Sequence, residues 1–485
     1  MGIKGETEKK HVLRLRDYEP QIVHNQTEIE NLRLIANHSL KNLSKKWGSK
    51  LIIFPPNFEK LKDEDEEKNI ISMAEGEDSA TITPSDMLGF IGVNNTYLSI
   101  GTRFSGAREG REDKEDYLLH YMLEKVFQMK ILSLLHPSSE DGVLEIMLHM
   151  FPGFLAKAIR QGLLKRYTLF HRNDANIKGT VDVSRHIRTN IPFNGKIAYN
   201  HREYATDNIV TQLIRHTIEF IRNSRYKYIL TADSLIIGDI ASIINNTPSY
   251  ANKKRQVIIN ANKKRNPHPY YTAYEPLVKL CIAILQHHKI RYCSEKKEVF
   301  GILFSGSWLW EEYLYKSVFR ELKFLHPDNR KKTDPIHVFS GKNINTKVDE
   351  EILERNYAPR YPDFLLAKDK GIFRKSQECM VVVDAKYRHF SYCGDRDNIH
   401  QIITYMHITK AQFGILVYPI GTETDDNKIR KLKDEIKQPK IINGWGGNYF
   451  RVGFEIPKET ESYQEFSNKM RIEENRIIDE LMHII

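Results

Sequence analysis

Residues 361–388 read YPDFLLAKDKGIFRKSQECMVVVDAKYR, and this stretch predicts the centre of the fold. Two apolar runs of strand length are joined by a hydrophilic loop. Asp363 stands at the start of the first run, and Asp384 and Lys386 stand at the end of the second. Because side chains two apart in a strand point to the same face, Asp384 and Lys386 should project together. If the two strands pair as a hairpin, Asp363 comes close to Asp384.

Two carboxylates and a lysine in this arrangement are suited to hydrolysing a phosphodiester. Carboxylates that approach each other in a partly buried site raise each other's pKa, and a divalent cation removes that repulsion. Mg²⁺ prefers oxygen ligands and is usually held by one or two carboxylates together with substrate phosphate. A neighbouring lysine can orient or deprotonate the attacking water, or neutralise charge that builds on the phosphorus. The residues alone leave a second interpretation open, which is a buried strand that ends in a structural ion pair.

A glutamate on a preceding helix is a further candidate. The pattern predicts a helix from Trp308 to Phe324, for which Ser305 offers an N-cap. Glu311 falls on the side of the apolar stripe, whereas Glu312 is expected to point outward. A glutamate on a buried face needs a partner, because an unpaired buried charge is costly. A metal, or a metal-bound water, would supply that partner for Glu311; the alternative is an early-turn glutamate favoured by the helix dipole.

The segment after the second strand continues an α/β pattern. The predicted elements are a helix at 397–408, an apolar strand at 413–419, a strand at 449–456 and a charged helix at 459–483. Gln401 and Tyr405 lie one turn apart on the first of these helices. The strand at 413–419 is apolar throughout, as in a sheet covered on both faces. We therefore predict a mixed α/β domain over residues 301–485.

Composition limits the class of protein. The 485 residues are 40% hydrophobic and 28% charged, which predicts two or three domains with sizeable cores. The net charge of +10 favours a polyanionic partner, of which nucleic acid is the usual one. The four cysteines form no C-x-x-C pair, which argues against a zinc site and fits a reducing cytoplasm. Since no run of eighteen apolar residues occurs and the first ten residues lack an apolar core, we expect neither a membrane span nor a signal peptide.

Two further domains are predicted before residue 301. Residues 1–116 are expected to form a small β-rich domain, with strands at 51–54 and 97–100 and an exposed acidic loop at 63–78. Residues 117–300 are expected to be mostly helical, because apolar residues recur at helical spacing there. The lone histidines His186 and His216 are interpreted as structural.

Taken in order, these motifs resemble the PD-(D/E)xK nuclease superfamily. The resemblance is carried by Glu311, by Pro362-Asp363 and Asp384-Ala-Lys386, and by Gln401-x-x-x-Tyr405. More specifically, the chain resembles the McrC-like nuclease subunits of McrBC and LlaJI-type restriction systems, from about residue 117 to about residue 420. The residues that carry this closer resemblance are Ile177–Asp182, Ile187-Arg188, Ala358–Arg360, Val383–Tyr387, Gln401–Tyr405 and Leu416–Pro419.

The resemblance implies a restriction-endonuclease-like mixed sheet, flanked by helices, that binds Mg²⁺ and cuts DNA. Asp363, Asp384 and Glu311 would be metal ligands, Lys386 the catalytic lysine and Gln401 a further member of the catalytic set, with Mn²⁺ as a substitute for Mg²⁺. The resemblance also implies docking on a McrB-like AAA+ GTPase ring, for which the 117–300 domain is the candidate. The sequence itself contains no P-loop Gly-x-x-x-x-Gly-Lys-Ser/Thr.

The resulting hypothesis is a Mg²⁺-dependent DNA endonuclease subunit of a phage-defence restriction system, acting in the cytoplasm. Two alternatives belong to other classes. One is an autonomous restriction endonuclease, an exonuclease or a resolvase on the same core. The other is a non-catalytic DNA-binding adaptor that stimulates a motor. Residues 1–116 could bind DNA or a partner, and the resemblance does not assign their role.

Overall fold

The computed structural model divides the chain into two compact units. Unit 1 comprises Met1–Glu140 and Lys297–Ile485, and unit 2 comprises Asp141–Lys296. The residues that the structure describes are 11–55, 68–104, 116–127, 140–290, 299–326, 336–337, 359–367, 379–389, 396–421, 427, 429, 439–444, 446–458 and 460–484. None of the helices within these ranges is both long enough and apolar enough to cross a membrane.

The N-terminal part of unit 1 is rich in strands, as predicted. Its strands are β1 (His11–Arg16), β2 (Gln21–Val23), β3 (Leu51–Phe54), β4 (Ile71–Glu75), β5 (Ala80–Pro84), β6 (Met87–Val93) and β7 (Thr96–Gly101). Its helices are α1 (Gln26–Leu32) and α2 (Leu40–Trp47), and α3 (Tyr117–Phe127) follows β7. The acidic loop predicted at 63–78 is wrong where it overlaps β4, which pairs antiparallel with β5; residues 63–67 lie outside the described residues.

Unit 2 combines helices with one antiparallel sheet. Its helices are α4 (Glu140–Ile159), α5 (Val183–Thr189), α6 (Ile209–Arg222), α7 (Ser234–Asn245), α8 (Arg255–Lys263) and α9 (Tyr274–Ile290). Its strands are β8 (Arg166–Asp174), β9 (Thr180–Val181) and β10 (Ile197–Ala205), in the spatial order β8-β10-β9.

Gly179 must be glycine, because a Cβ there would lie 2.2 Å from the carbonyl oxygen of Asn200. The Gly-Thr-Val-Asp part of the sequence motif is therefore explained by strand packing, and Asp182 caps α5 through the Arg185 N–H.

The second part of unit 1 contains the predicted α/β elements. They are β11 (Val299–Ser305), α10 (Gly306–Leu314), β12 (Ile336–His337), β13 (Pro359–Arg360), β14 (Phe364–Ala367), β15 (Cys379–Ala385), α11 (Arg396–Thr409), β16 (Phe413–Ile420), β17 (Lys440–Ile441), β18 (Asn448–Glu455) and α12 (Tyr463–Ile484). One sheet has the order β14-β15-β16-β18-β17. Its central strands β15, β16 and β18 run parallel, and β14 pairs antiparallel with β15 at the edge. The mixed α/β class is confirmed.

The strand β11 connects the two sequence-distant parts of unit 1. It lies between β6 and β3 in a five-stranded sheet of order β1-β7-β6-β11-β3. All seven of its residues are buried. The sequence-based division made residues 1–116 a separate domain. In the structure they belong to unit 1, because their main sheet is completed by a strand from residues 299–305.

Candidate active site

The hairpin of β14 and β15 places the two aspartates side by side. Phe364 lies opposite Val383, so Asp363 falls next to the end of β15 that carries Asp384. The Asp363 Oδ2 accepts a hydrogen bond of 2.7 Å from the Ala385 N–H. The antiparallel pairing expected from the two apolar runs is thus present, and it anchors Asp363 to the backbone between Asp384 and Lys386.

Asp384 and Lys386 project to the same side of β15, as the period of a strand requires. The Lys386 ammonium contacts the Asp384 Oδ2 directly. Only 4% of the Asp384 side chain and 17% of the Lys386 side chain are exposed. The carboxylate is therefore almost fully desolvated, while the lysine side chain is somewhat more exposed.

The helix α11 holds Lys386 from the other side. The Lys386 ammonium donates a hydrogen bond of 2.9 Å to the Gln401 Oε1, and the Gln401 Nε2 donates one of 2.6 Å to the Tyr405 hydroxyl. The Tyr405 hydroxyl donates in turn to the Tyr361 carbonyl at 3.2 Å. Since Gln401 and Tyr405 are one helical turn apart, the spacing seen in the sequence becomes a continuous chain of hydrogen bonds. This chain fixes the direction in which the Lys386 amine points.

The electrostatics of this hairpin favour a cation. Burial raises the pKa of Asp363 well above its usual value, and the charges of Glu311 and Asp384 raise it further, although Lys386 and the Ala385 N–H oppose the shift. The positive charge of Lys386 thus does not fully compensate the cost of ionising Asp363 in this buried position. A divalent ion held by carboxylate oxygens would relieve this cost. The donor set of buried carboxylates fits Mg²⁺ or Mn²⁺, which take oxygen ligands.

The set of protein ligands is small. Within the described residues, no group of three or more histidine, cysteine, aspartate or glutamate side chains is gathered closely enough to hold a metal ion. An ion at the hairpin would accordingly take one or two carboxylates from the protein and complete its shell with water and substrate oxygens. This is the usual mode for Mg²⁺ at phosphate-transferring sites.

Glu311 and Glu312 lie on α10, which begins after the N-cap Ser305, as predicted. The helix is shorter than expected and continues from Tyr315 to Phe319 as a π-helical turn. The expectation that Glu312 points outward is wrong, since 19% of each glutamate side chain is exposed. Glu312 meets His326, and the residue before this histidine, Leu325, pairs with Leu365 of β14 through two backbone hydrogen bonds of 2.8 and 2.9 Å.

His326, which follows this pairing, is a residue that sequence reasoning missed. Its Nδ1 lies 3.0 Å from the Asp363 carbonyl oxygen and 3.6 Å from the Glu311 Oε1, and its Nε2 lies 3.5 Å from the Glu312 Oε1. Burial alone would lower the pKa of His326, but the hydrogen bond to Glu312 and the charges of both glutamates outweigh it, so the pKa is raised. A single histidine after a helix carries no spacing signal that could have revealed this contact.

The chain is similar to one protein family and, in part, to two solved structures. A family model described as "McrBC 5-methylcytosine restriction system component" matches residues 82–419. Two solved structures are similar in part. One is a refined half-complex from the tetradecameric assembly of Thermococcus gammatolerans McrB AAA+ hexamers with bound McrC, with 16% identity, a TM-score of 0.47, and coverage of 96% of this chain and 100% of that chain.

The other is the cryo-EM structure of the Thermococcus gammatolerans McrBC complex. It has 16% identity and a TM-score of 0.31, and the match covers 64% of this chain and 88% of that chain. No curated protein sequence matches the chain.

Proposed function

The chain belongs to the family of McrBC 5-methylcytosine restriction system components, and on that premise we propose that it is the DNA-cleaving subunit of such a system. The reaction is the Mg²⁺-dependent hydrolysis of a phosphodiester bond within DNA, in a site of the PD-(D/E)xK type. The observation that carries the proposal is the hairpin that brings Asp363, Asp384 and Lys386 together, with Lys386 held by Gln401.

Each residue has a distinct role in this proposal. Asp363 and Asp384 would hold Mg²⁺, and Glu311 lies close enough for its charge to act on the same position. The ion would supply Lewis-acid stabilisation of the phosphate charge. Lys386 positions the attacking water or neutralises the oxygen that gains charge, and Gln401 keeps the ammonium aimed at that position. The net charge of +10 supports contact with the DNA backbone.

The contribution of Glu311 can be separated from that of its neighbour. Glu311→Gln should lower the cleavage rate and raise the Mg²⁺ concentration needed for half-maximal activity, because it removes a negative charge that attracts the ion. Glu311 lies close enough to the hairpin for its charge to raise the pKa of Asp363. Glu312→Gln is the matched control, since it has the same exposure and also contacts His326. It should change both quantities little. Magnesium titrations of the two variants give the measurement, and the opposite ranking would show that Glu312 faces the metal.

Activation by a partner is the second part of the proposal. The sequence has no P-loop, so any nucleotide-driven step must come from another protein. Membership in a family of restriction system components supports an AAA+ GTPase ring of the McrB type as that protein. A nuclease without a sequence reader of its own would damage host DNA if it were always active. Dependence on the partner would prevent this damage.

A surface in unit 2 is suited to docking this partner. We define the apolar extension as residues 166–205, which include the sheet β8-β10-β9 and the helix α5. Large apolar side chains that are exposed in it are Tyr167, Leu169, Ile177, Val181, Val183, Ile187, Ile191, Phe193 and Tyr204. Exposed apolar side chains concentrated in one segment are typical of protein–protein contact sites. We propose that this extension contacts the ring.

The test mixes the purified chain with an AAA+ GTPase encoded beside it, on modified and unmodified DNA. Cleavage should require both proteins, Mg²⁺ and GTP, and a non-hydrolysable GTP analogue should abolish it. Phe193→Ser, in which an exposed ring is removed, should weaken partner binding and cleavage together. Efficient site-specific cutting by the chain alone, with Mg²⁺ only, would contradict the proposal and favour an autonomous restriction enzyme.

A further inference from the structure

Arg103, two residues beyond the end of β7, reaches the strand end that carries Lys386. Its Nη2 donates a hydrogen bond of 2.7 Å to the Tyr387 carbonyl oxygen. On the preceding residue, the Lys386 N–H donates a hydrogen bond of 2.8 Å to the Val417 carbonyl of the parallel strand β16. The backbone that carries the Lys386 side chain is therefore held from one side by its own sheet and from the other by Arg103.

The N-terminal sheet determines where Arg103 lies. The Arg103 N–H donates a hydrogen bond of 2.6 Å to the Asp17 Oδ1, and the Arg103 Nε lies 3.4 Å from the Asp17 Oδ2. The guanidinium also stacks over the Tyr18 ring at 4.4 Å. Asp17 and Tyr18 follow β1, which pairs in parallel with β7. Since Asp17 is fully buried and only 12% of the Arg103 side chain is exposed, this arrangement is fixed by packing as well as by charge.

The Tyr387 ring extends the same contact toward the glutamate helix. It is buried, and its centroid lies 5.1 Å from that of Phe104 in an edge-to-face geometry. Gly306, the first residue of α10, lies so close that a Cβ there would be 2.5 Å from the Tyr387 Cε1. Tyr387 is thus fitted between the segment after β7 and the start of the helix that carries Glu311.

We infer that Arg103 is a positioning residue for Lys386, through which the N-terminal sheet sets the geometry of the nuclease site. This inference rests on the proposed function. It assigns a role to the N-terminal segment: that segment supports the catalytic strand end from within the same unit. Arg103 acts through the Tyr387 backbone and does not itself meet the DNA or the metal.

The contact between Arg103 and the Tyr387 carbonyl does not depend on whether Asp17 is ionised. Burial raises the pKa of Asp17 to about 7, although the charge of Arg103 opposes the shift. The hydrogen bond from the Arg103 Nη2 goes to the Tyr387 carbonyl oxygen and not to the Asp17 carboxyl, so it can persist when Asp17 gains or loses a proton. Measurements at pH 8 keep Asp17 mostly ionised and hold this variable constant.

The test compares Arg103→Ala and Arg103→Lys with the wild type, each with the AAA+ partner and GTP. A lysine keeps the charge and the backbone N–H bond to Asp17. Its single ammonium does not reproduce the planar fork of donors with which the guanidinium bonds the Tyr387 carbonyl while its Nε faces Asp17. We expect kcat to fall by about 10–100-fold for Arg103→Ala, the range for a small displacement of a catalytic group, and less for Arg103→Lys. The KM for DNA and the half-saturating Mg²⁺ concentration should stay within about twofold, since neither ligand touches Arg103.

Arg33→Lys is the matched control. Arg33 lies in the same N-terminal part and makes a two-bond ion pair with Glu75 on the surface, so its replacement should leave cleavage unchanged. If Arg103→Ala does not fold, the kcat of Arg103→Lys is the measurement that tests the role of Arg103. Cleavage by Arg103→Lys at the wild-type rate would overturn the inference, as would a loss of kcat matched by equal losses in DNA affinity and thermal stability. A wild type that cuts no DNA with its partner would overturn the proposed function and this inference with it.

Discussion

Lys386→Ala is expected to reduce DNA cleavage by about 10²–10⁴-fold, the range for loss of a positioned catalytic group. Asp384→Asn should have an effect of the same order, because it removes the charge of one of the two aspartates that we propose hold Mg²⁺. Both residues lie where β15 ends, and neither Nζ nor the carboxylate fills an apolar core. The loss should therefore appear in the chemical step, with little change in DNA or partner binding.

Stability offers an independent check on these two variants. The charge of Asp384 raises the pKa of buried Asp363, so the two carboxylates repel each other in the folded state without a metal. Asp384→Asn removes that repulsion and keeps the side-chain volume, but it also removes the charge that is paired with Lys386. Because the two effects oppose each other, we expect its thermal unfolding temperature in the presence of a chelator to stay close to that of the wild type. Lys440→Ala, at an exposed position on β17 of the same sheet, is the control that should leave cleavage and stability unchanged.

The outcomes separate a nuclease from an adaptor. Wild-type cutting by Lys386→Ala or Asp384→Asn would remove the catalytic assignment. If instead the wild type and both variants all stimulate the GTPase and none cuts DNA, the chain acts as a DNA-binding adaptor, and the pair of Asp384 and Lys386 is a structural ion pair. Steady-state cleavage assays with the partner, GTP and Mg²⁺ distinguish these cases directly.

The hairpin could be predicted because its information is local. Strand periodicity alone places Asp384 and Lys386 on one face, and a short connection between two apolar runs makes antiparallel pairing the expected arrangement. The i, i+4 spacing of Gln401 and Tyr405 likewise needs only a helix. These expectations agree with the hydrogen bonds from Lys386 to Gln401 and from Gln401 to Tyr405.

The rest depends on contacts between distant parts of the chain. Arg103 meets the carbonyl of Tyr387 across 284 positions of sequence, and His326 reaches Asp363 across 37. Neither residue belongs to a spaced motif, so no periodicity could have indicated it. The orientation of Glu312 was misjudged for the same reason, because its contact His326 is brought to it by the pairing of Leu325 with Leu365, which forms only in the folded chain.

The strand β11 depends most strongly on a distant part of the chain, because its two neighbours in the sheet are β3 and β6. A variant that lacks residues 1–104 should fail to fold, even though the sequence suggests that the nuclease part begins afterwards. Deletion removes β6 and β3, the two strands that pair with β11 on either side. Its buried apolar side chains, Val299, Phe300, Ile302, Leu303 and Phe304, would become exposed. At about 1.5–3 kcal/mol for each, the loss approaches the whole stability of a typical domain, which is about 5–15 kcal/mol.

A single substitution tests the same contact without deletion. A Cβ on Gly301 would lie 2.4 Å from the Phe90 carbonyl oxygen and 2.9 Å from the Ile91 Cα, so Gly301→Ala must push β6 away from β11. We expect a destabilisation of about 1–3 kcal/mol, the usual cost of overpacking a core. Gly238→Ala is the control: it lies within α7 with nothing inside 4 Å of its Cβ position, and it should stabilise its helix by about 0.5–1 kcal/mol.

The deletion and the Gly301→Ala substitution together test whether the N-terminal sheet is an integral part of the nuclease unit. If the sheet is part of the nuclease unit, the deletion variant should be insoluble or unfolded by circular dichroism, and Gly301→Ala should lower the midpoint of a single cooperative transition. A soluble deletion variant that retains partner-activated cleavage would show instead that residues 1–104 are a detachable module. In that case β11 would need a different partner, and Arg103 could not be required to hold Lys386 in place.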